Sequence, residues 1–175
     1  MKKILSWLAG GAVLLVLALL GTGVALPREH RARSCVTLDA PAESLYAVLR
    51  DIGNTPSWWK EMESAVRADT GGVERWTETA GGFTMTVRVE DTEPGTEFVT
   101  VIEPPPDAVF GGRWSHRVGE RTAAGHTVCL TEEGWVSNPL WRALGALRGT
   151  HATLDSYLTA FAARFGTTYT PEHLD

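Results

Sequence analysis

A stripe of apolar residues running from Leu140 to Phe165 constrains this chain more than any other feature. Leu140, Leu144, Leu147, His151, Leu154, Leu158, Phe161 and Phe165 recur at steps of three and four, the spacing that stacks side chains on one face of an α-helix. Asn138 can cap the first free N–H groups, Pro139 suits the first turn and Gly166 is a stop signal. The spacing therefore predicts one long helix over 138–166. Arg142, Arg148 and Arg164 fall off the stripe, so one side of the helix needs covering, and a single sheet would supply the cover. Gly145 and Gly149 lie inside the helix and each costs about 1 kcal/mol against Ala. A bend or a close backbone approach is expected there. His151 takes a stripe position that should otherwise be apolar; it is either a core histidine with a satisfied partner or a polar group facing a cavity.

The remainder of the chain supplies that cover. Arg33 to Asp39 alternates with Val36 and Leu38 on one face, as a half-buried strand does. After Ala40-Pro41, the acidic first turn at Glu43 and the set Leu45, Val48, Leu49, Ile52 predict a helix of about three turns ending at Gly53. Thr55-Pro56 opens a second, shorter helix carrying Trp58 and Trp59. Six further strands are then expected: Ser64 to Asp69, Glu74 to Thr79, Phe83 to Asp91, Thr96 to Glu103, Arg113 to Arg121 and His126 to Val136. Short turns at Thr70-Gly71-Gly72, Glu93-Pro94-Gly95 and Ala124-Gly125 make the pairings hairpins and the sheet antiparallel. The longer connection from Pro104 to Gly112 is either a lid over a cavity mouth or a long hairpin loop. The reading is an α+β domain in which a seven-stranded antiparallel sheet curls around a long C-terminal helix. Two short helices lie between the first and second strands, leaving ligand space between sheet and helix.

Ahead of this domain, Lys2 and Lys3 precede an uncharged run from Ile4 to Leu26, long enough to cross a hydrocarbon core of about 30 Å. It reads as an N-terminal transmembrane anchor, or uncleaved signal, over 1–27; the competing reading is a cleaved secretory signal, for which Gly23-Val24-Ala25 offers small residues at a cleavage site. The expectation is a single-pass protein of a bacterial cell membrane, with the lipid membrane as a partner through this helix. Arginines and lysines on both flanks leave the side of the domain open. A ligand-binding domain then spans 28–168 and a tail 169–175. The 175-residue chain has a formal net charge of -5 and no basic block after Lys3, which argues against nucleic acid as a partner. Protein partners are left open.

The run from Val36 to Asp51 joins a strand, Ala40-Pro41, the acidic turn at Glu43 and a helix ending Leu49-Arg50-Asp51, and is followed by Pro56-Ser57-Trp58. It resembles the opening of the SRPBCC superfamily, the START-like and Bet v 1-like group that includes the polyketide cyclase/dehydrase family. The element order agrees over Arg31 to Phe165. The resemblance implies a helix-grip fold with a deep, mostly apolar cavity for lipids, sterols, polyketides or similar molecules. It leaves the reaction open, because members range from carriers to cyclases and function must come from the site.

Signatures for a serine nucleophile, a zinc peptidase or a phosphate loop are absent from the sequence. The five histidines lack metal-ligand spacing, so neither metal nor cofactor is expected. His116 alternates with Trp114 and Val118. If that face is inward, His116 and His151 could meet across the cavity as general acid or base; otherwise each satisfies a local hydrogen bond. Glu132, in phase with Val128 and Leu130, is either an inner carboxyl or an exposed one. The expected ligand contacts are Trp76, Met85, Val87, Phe110, Trp114, His116, Leu147, His151 and Leu154, with His151 and His116 as candidate catalytic groups. The leading function is a membrane-anchored binding domain for a small hydrophobic ligand, lipid-like or polyketide-like. The alternatives are a cyclase, dehydratase or hydrolase-like enzyme using the cavity histidines, and an envelope protein-interaction module. In the fold that the sequence resembles, the strands of Cys35 and Cys129 are antiparallel neighbours, and alternation points both thiols away from the cavity. A bridge requires direct opposition, and the register is left open.

Overall fold

The computed structural model describes residues 2–170 and 172–174, with side chains described at Trp7 and from residue 10 onward. Helix α1 (Lys2–Ala25) leads into β1 (Glu29–Leu38), α2 (Ala42–Arg50) and a 3-10 turn (Ile52–Ser57). Then come β2 (Met62–Arg67), β3 (Arg75–Ala80), β4 (Phe83–Glu93), β5 (Glu97–Ile102), β6 (Phe110–Thr122) and β7 (Gly125–Val136). Helices α3 (Pro139–Arg148) and α4 (Ala152–Ala163) and a short β8 (Glu172–His173) complete the chain. The strands form one antiparallel sheet in the order β2-β3-β4-β5-β6-β7-β1-β8. The architecture is α+β and helix-grip-like, with eight strands where alternation predicted seven. The extra one is β8, two residues that pair with Ser34 and Cys35 on the free edge of β1, too short to show any period.

The expected long helix is two helices. Asn138 caps α3 as its spacing requires, its Oδ1 accepting from the N–H groups of Leu140 and Trp141 at 2.9 and 3.3 Å. The helix ends at Gly149, whose φ of +95° belongs to glycine. Helix α4 restarts three residues later and buries Leu154, Leu158 and Phe161 completely against the sheet, packing over β1 and β7. Asp155 ties the C-terminal segment to this helix, accepting from Ser34 Oγ at 3.0 Å and Tyr169 Oη at 2.9 Å. His173 Nε2 lies 3.0 Å from the same carboxylate.

Helix α3 packs instead along α1. Arg142 Nε donates to the Gly23 carbonyl at 2.7 Å, and a Cβ on Gly23 would overlap the Pro139 carbonyl, so this close approach needs glycine. The run Ile4 to Leu26 is therefore helical, but its last turns are docked on the domain rather than free of it. Among the described residues no helix is long and apolar enough to cross a membrane. This overturns the single-pass membrane location and leaves the transmembrane anchor, and the membrane as a partner through this helix, without support. The side chains of Lys2 to Ser6, Leu8 and Ala9, part of that expectation, lie outside the described residues.

Cys35 faces Cys129 directly in the β1–β7 register, with Cα atoms 4.1 Å apart, and the two are joined as a disulfide. Cys129 lies on the same face as Arg33, Arg113 and Arg117. Val128 and Leu130 beside it point the other way into the core, as alternation requires.

Candidate functional site

The curl of the sheet, α3 and α4 enclose a cavity of about 550 Å³, within the range of small-molecule sites. Strands β4 to β6 contribute Met85, Val87, Thr100, Trp114 and His116. Trp59, just after the 3-10 turn, and Tyr157 of α4 form the facing wall. Their rings meet edge to face at 5.1 Å, and Trp114 closes on Tyr157 at 6.0 Å. Trp59 is held in orientation by a relay: its indole N–H donates to Ser156 Oγ at 3.1 Å, and Ser156 donates to Glu61 at 2.7 Å. Arg148 of α3 donates to the same carboxylate at 3.0 Å. At another end Phe83 lies 5.5 Å from Phe110 and 5.9 Å from Trp141, ring centre to ring centre, so α3 roofs the cavity through an aromatic contact.

Few polar groups enter this space, and their environment sets their chemistry. Glu78, in the middle of β3, lines the cavity, and its carboxyl makes no hydrogen bond among the described residues. The side chain is partly buried, and burial pushes its pKa up to about 7. Tyr157 is buried, and burial together with the nearby Glu78 charge raises its phenol above the ordinary value. The His116 ring stacks flat on Phe98 at 4.4 Å, and its Nδ1 is buried with no hydrogen-bond partner among the described residues. Burial pulls His116 down to about 4, so it is a neutral imidazole at physiological pH. At a separate point on the wall His30 Nε2 stands 3.4 Å from Glu132 Oε1, and that hydrogen bond raises His30 against the opposing effect of burial. Glu132 thus takes the inner position that its phase with Val128 and Leu130 allowed.

Of the expected ligand contacts, Met85, Val87, Phe110, Trp114 and His116 line the cavity together. The others stand elsewhere. Trp76 packs on Gly53 and donates its indole N–H to Glu74 at 2.8 Å. Leu147 is 75% exposed because α3 turns that face outward, and Leu154 is fully buried between α4 and the sheet. His151 sits at the break before α4, its ring stacked on His173 at 3.9 Å rather than on the cavity wall. The two candidate catalytic histidines therefore do not meet, because the helix break turns His151 toward the C-terminal segment. The Pro104 to Gly112 connection contributes Val109, Phe110, Gly111 and Gly112 to the wall. The Val109 carbonyl accepts from the Ser137 N–H at 2.9 Å, so this edge is pinned to the start of α3. Glu78 and Tyr157 were missed by sequence reasoning. Tyr157 follows Leu154 by three residues, a legible signal, whereas Glu78 is a charged residue in a strand and carried none.

Comparison with solved structures gives the fold independently. A START superfamily protein from Mycobacterium smegmatis matches with TM-score 0.60 at 15% identity, over 78% of this chain and 97% of that one. An NMR structure from Thermobifida fusca matches with TM-score 0.60 at 20% identity, over 78% and 93%. The di-domain ARO/CYC StfQ from the steffimycin biosynthetic pathway matches with TM-score 0.61 at 13% identity. There 79% of this chain covers 51% of the di-domain chain, about half its length. Comparison with curated proteins finds no match. The profile of the family described as polyketide cyclase / dehydrase and lipid transport matches residues 38–157, more than half of the sequence, and the chain belongs to that family.

Proposed function

We propose that this protein binds one small hydrophobic molecule, lipid-like or polyketide-like, in the cavity between the sheet and helices α3 and α4. The observation that carries the reading is the cavity itself: about 550 Å³ bounded by tryptophan, phenylalanine and aliphatic side chains, with a few inward polar groups. The family's description, which includes lipid transport, agrees with it. The test is native mass spectrometry of the purified full chain, followed by titration with a neutral naphthalene fluorophore. One co-purified or added ligand per chain, lost in Trp114→Ala, supports the reading. Absence of any saturable binding overturns it.

A second reading, enzymatic turnover of the bound molecule, is favoured by one observation: a carboxyl held at about 7 by burial beside a buried tyrosine. A general acid or base works best with a pKa near the operating pH. Glu78 suits that role better than His116, which is too weak a base, or His151, which lies off the cavity. Analysis of the ligand after incubation separates the readings, since a binder returns it unchanged. The cavity also stands against an interaction module built on a filled core.

A further inference from the structure

We propose that the ligand is a hydrophobic amine whose ammonium group rests against the Glu78 carboxylate and the surrounding ring faces, while its apolar body fills the rest of the cavity. The inference rests on the binding reading above and adds the chemical class. It comes from the partners of every charged group around the cavity. Glu61 is taken by Arg148 and Ser156, Glu132 faces His30, and Glu29 is exposed. On the cationic side, Arg113 pairs with Glu133. Arg142 donates to the carbonyls of Gly23, Val136 and Ser137. Arg28 is exposed. Glu78 is the enclosed carboxyl left without a hydrogen-bond or ion-pair partner among the described residues.

An enclosed carboxylate without a partner is costly, and the cost is relieved by a cation or by a proton. Two neighbours on the adjoining strands, Ala65 and Met85, carry no charge. Tyr157, from α4, is neutral and offers a hydroxyl. The empty site is therefore stabilised by a proton on Glu78, and an arriving ammonium displaces it. The rings of Trp59, Trp114 and Tyr157 also line this space, and an ammonium is attracted to such faces as well as to the carboxylate. An anionic ligand meets the opposite situation, because among the described residues the guanidiniums that line the cavity are either paired, as in Arg113, Arg142 and Arg148, or exposed, as in Arg28.

The experiment uses three probes on one scaffold, 2-(1-naphthyl)ethylamine, 2-(1-naphthyl)ethanol and 1-naphthylacetate, titrated into the full chain near neutral pH. The amine is expected to bind about tenfold or more tightly than the alcohol, equivalent to about 1.4 kcal/mol, with the acetate weakest. In Glu78→Gln the amine and alcohol affinities should converge, with an unchanged circular dichroism spectrum showing that the variant is folded. Glu78→Asp should retain the preference for the amine. Equal affinities in the native chain, or a preference that survives Glu78→Gln, overturn the inference while leaving the binding reading intact. If none of the three binds, and the neutral fluorophore does not bind either, the binding reading itself fails and this inference falls with it.

Discussion

Helices α3 and α4 come from one continuous stripe in the sequence, yet they do different work. Helix α4 sinks Leu154, Leu158 and Phe161 into the core with no residual exposure. Helix α3 buries only Ala143 and leaves Leu144 and Leu147 39% and 75% exposed. Its inward surface is Trp141, Gly145, Ala146 and the stem of Arg148, which roof the cavity. An apolar stripe thus records that a face can be buried, and the fold decides which part of it is. The half beyond Gly149 holds the domain together, while the half before it closes the ligand space.

The sharpest way to break this contrast is a pair of truncations measured by urea unfolding. Phe161→Ala should cost about 3–5 kcal/mol, the range for emptying an aromatic site in a packed core. Leu147→Ala should stay within about 0.5 kcal/mol, as exposed positions do. Comparable losses at both positions would mean that α3 is as much a part of the core as α4. A second test addresses the platform beneath α4, since β1 and β7 are joined by a disulfide between residues 94 apart in sequence. Replacing both cysteines by alanine should remove about 2–5 kcal/mol. The loss should appear as a lower melting temperature of the whole domain.

The cavity side of the comparison is sharpened by pH. Between about 4.5 and about 7 the folded chain keeps a proton on Glu78 that the unfolded chain has released. Stability from this group is therefore complete below about 4.5 and falls as pH rises through 7, by on the order of 2 kcal/mol. His116 acts in the opposite sense: between about 4 and 6.5 the unfolded chain takes up a proton that the buried ring excludes, so its contribution is lost as pH falls. The two oppose each other over most of this window. Glu78→Gln should uncover the His116 slope, so that denaturant midpoints rise with pH from about 4 to 6.5. An unchanged pH profile in that variant would show that Glu78 is solvated in the folded chain.

The smallest effects concern the glycines. Gly145 has open space around its missing Cβ and an ordinary helical backbone, so Gly145→Ala should stabilise α3 by about 1 kcal/mol. Gly149, at φ +95°, should lose roughly 1 kcal/mol on the same change. Opposite signs in thermal melts would place the break at Gly149; equal signs would not.

Much of this architecture was legible because each long strand declares its inward face by alternation, from Phe83 to Val89 most clearly. The break at Gly149 was signalled as a weak point, but a stripe that continues on both sides of it cannot report that its two parts change partners. Glu78 was passed over because a charged residue in a strand ordinarily faces water, and only the assembled sheet shows the apolar space in front of it. His151 was drawn toward the cavity by its place in the stripe, and the turn before α4 rotated it onto His173. The cysteines lay beyond the precision of a sequence reading for a simpler reason: their bridge depends on register, and strand ends are legible only to within a few residues.

The Cys35–Cys129 bond also changes the covalent shape of the molecule. It converts the stretch between those residues, which carries α2 and strands β2 to β6 with the first part of β7, into a closed ring. A single proteolytic cut in the connection from 103 to 109 would open that ring without releasing a fragment. The nicked protein would migrate as one species on a gel until reductant was added, and only then divide in two.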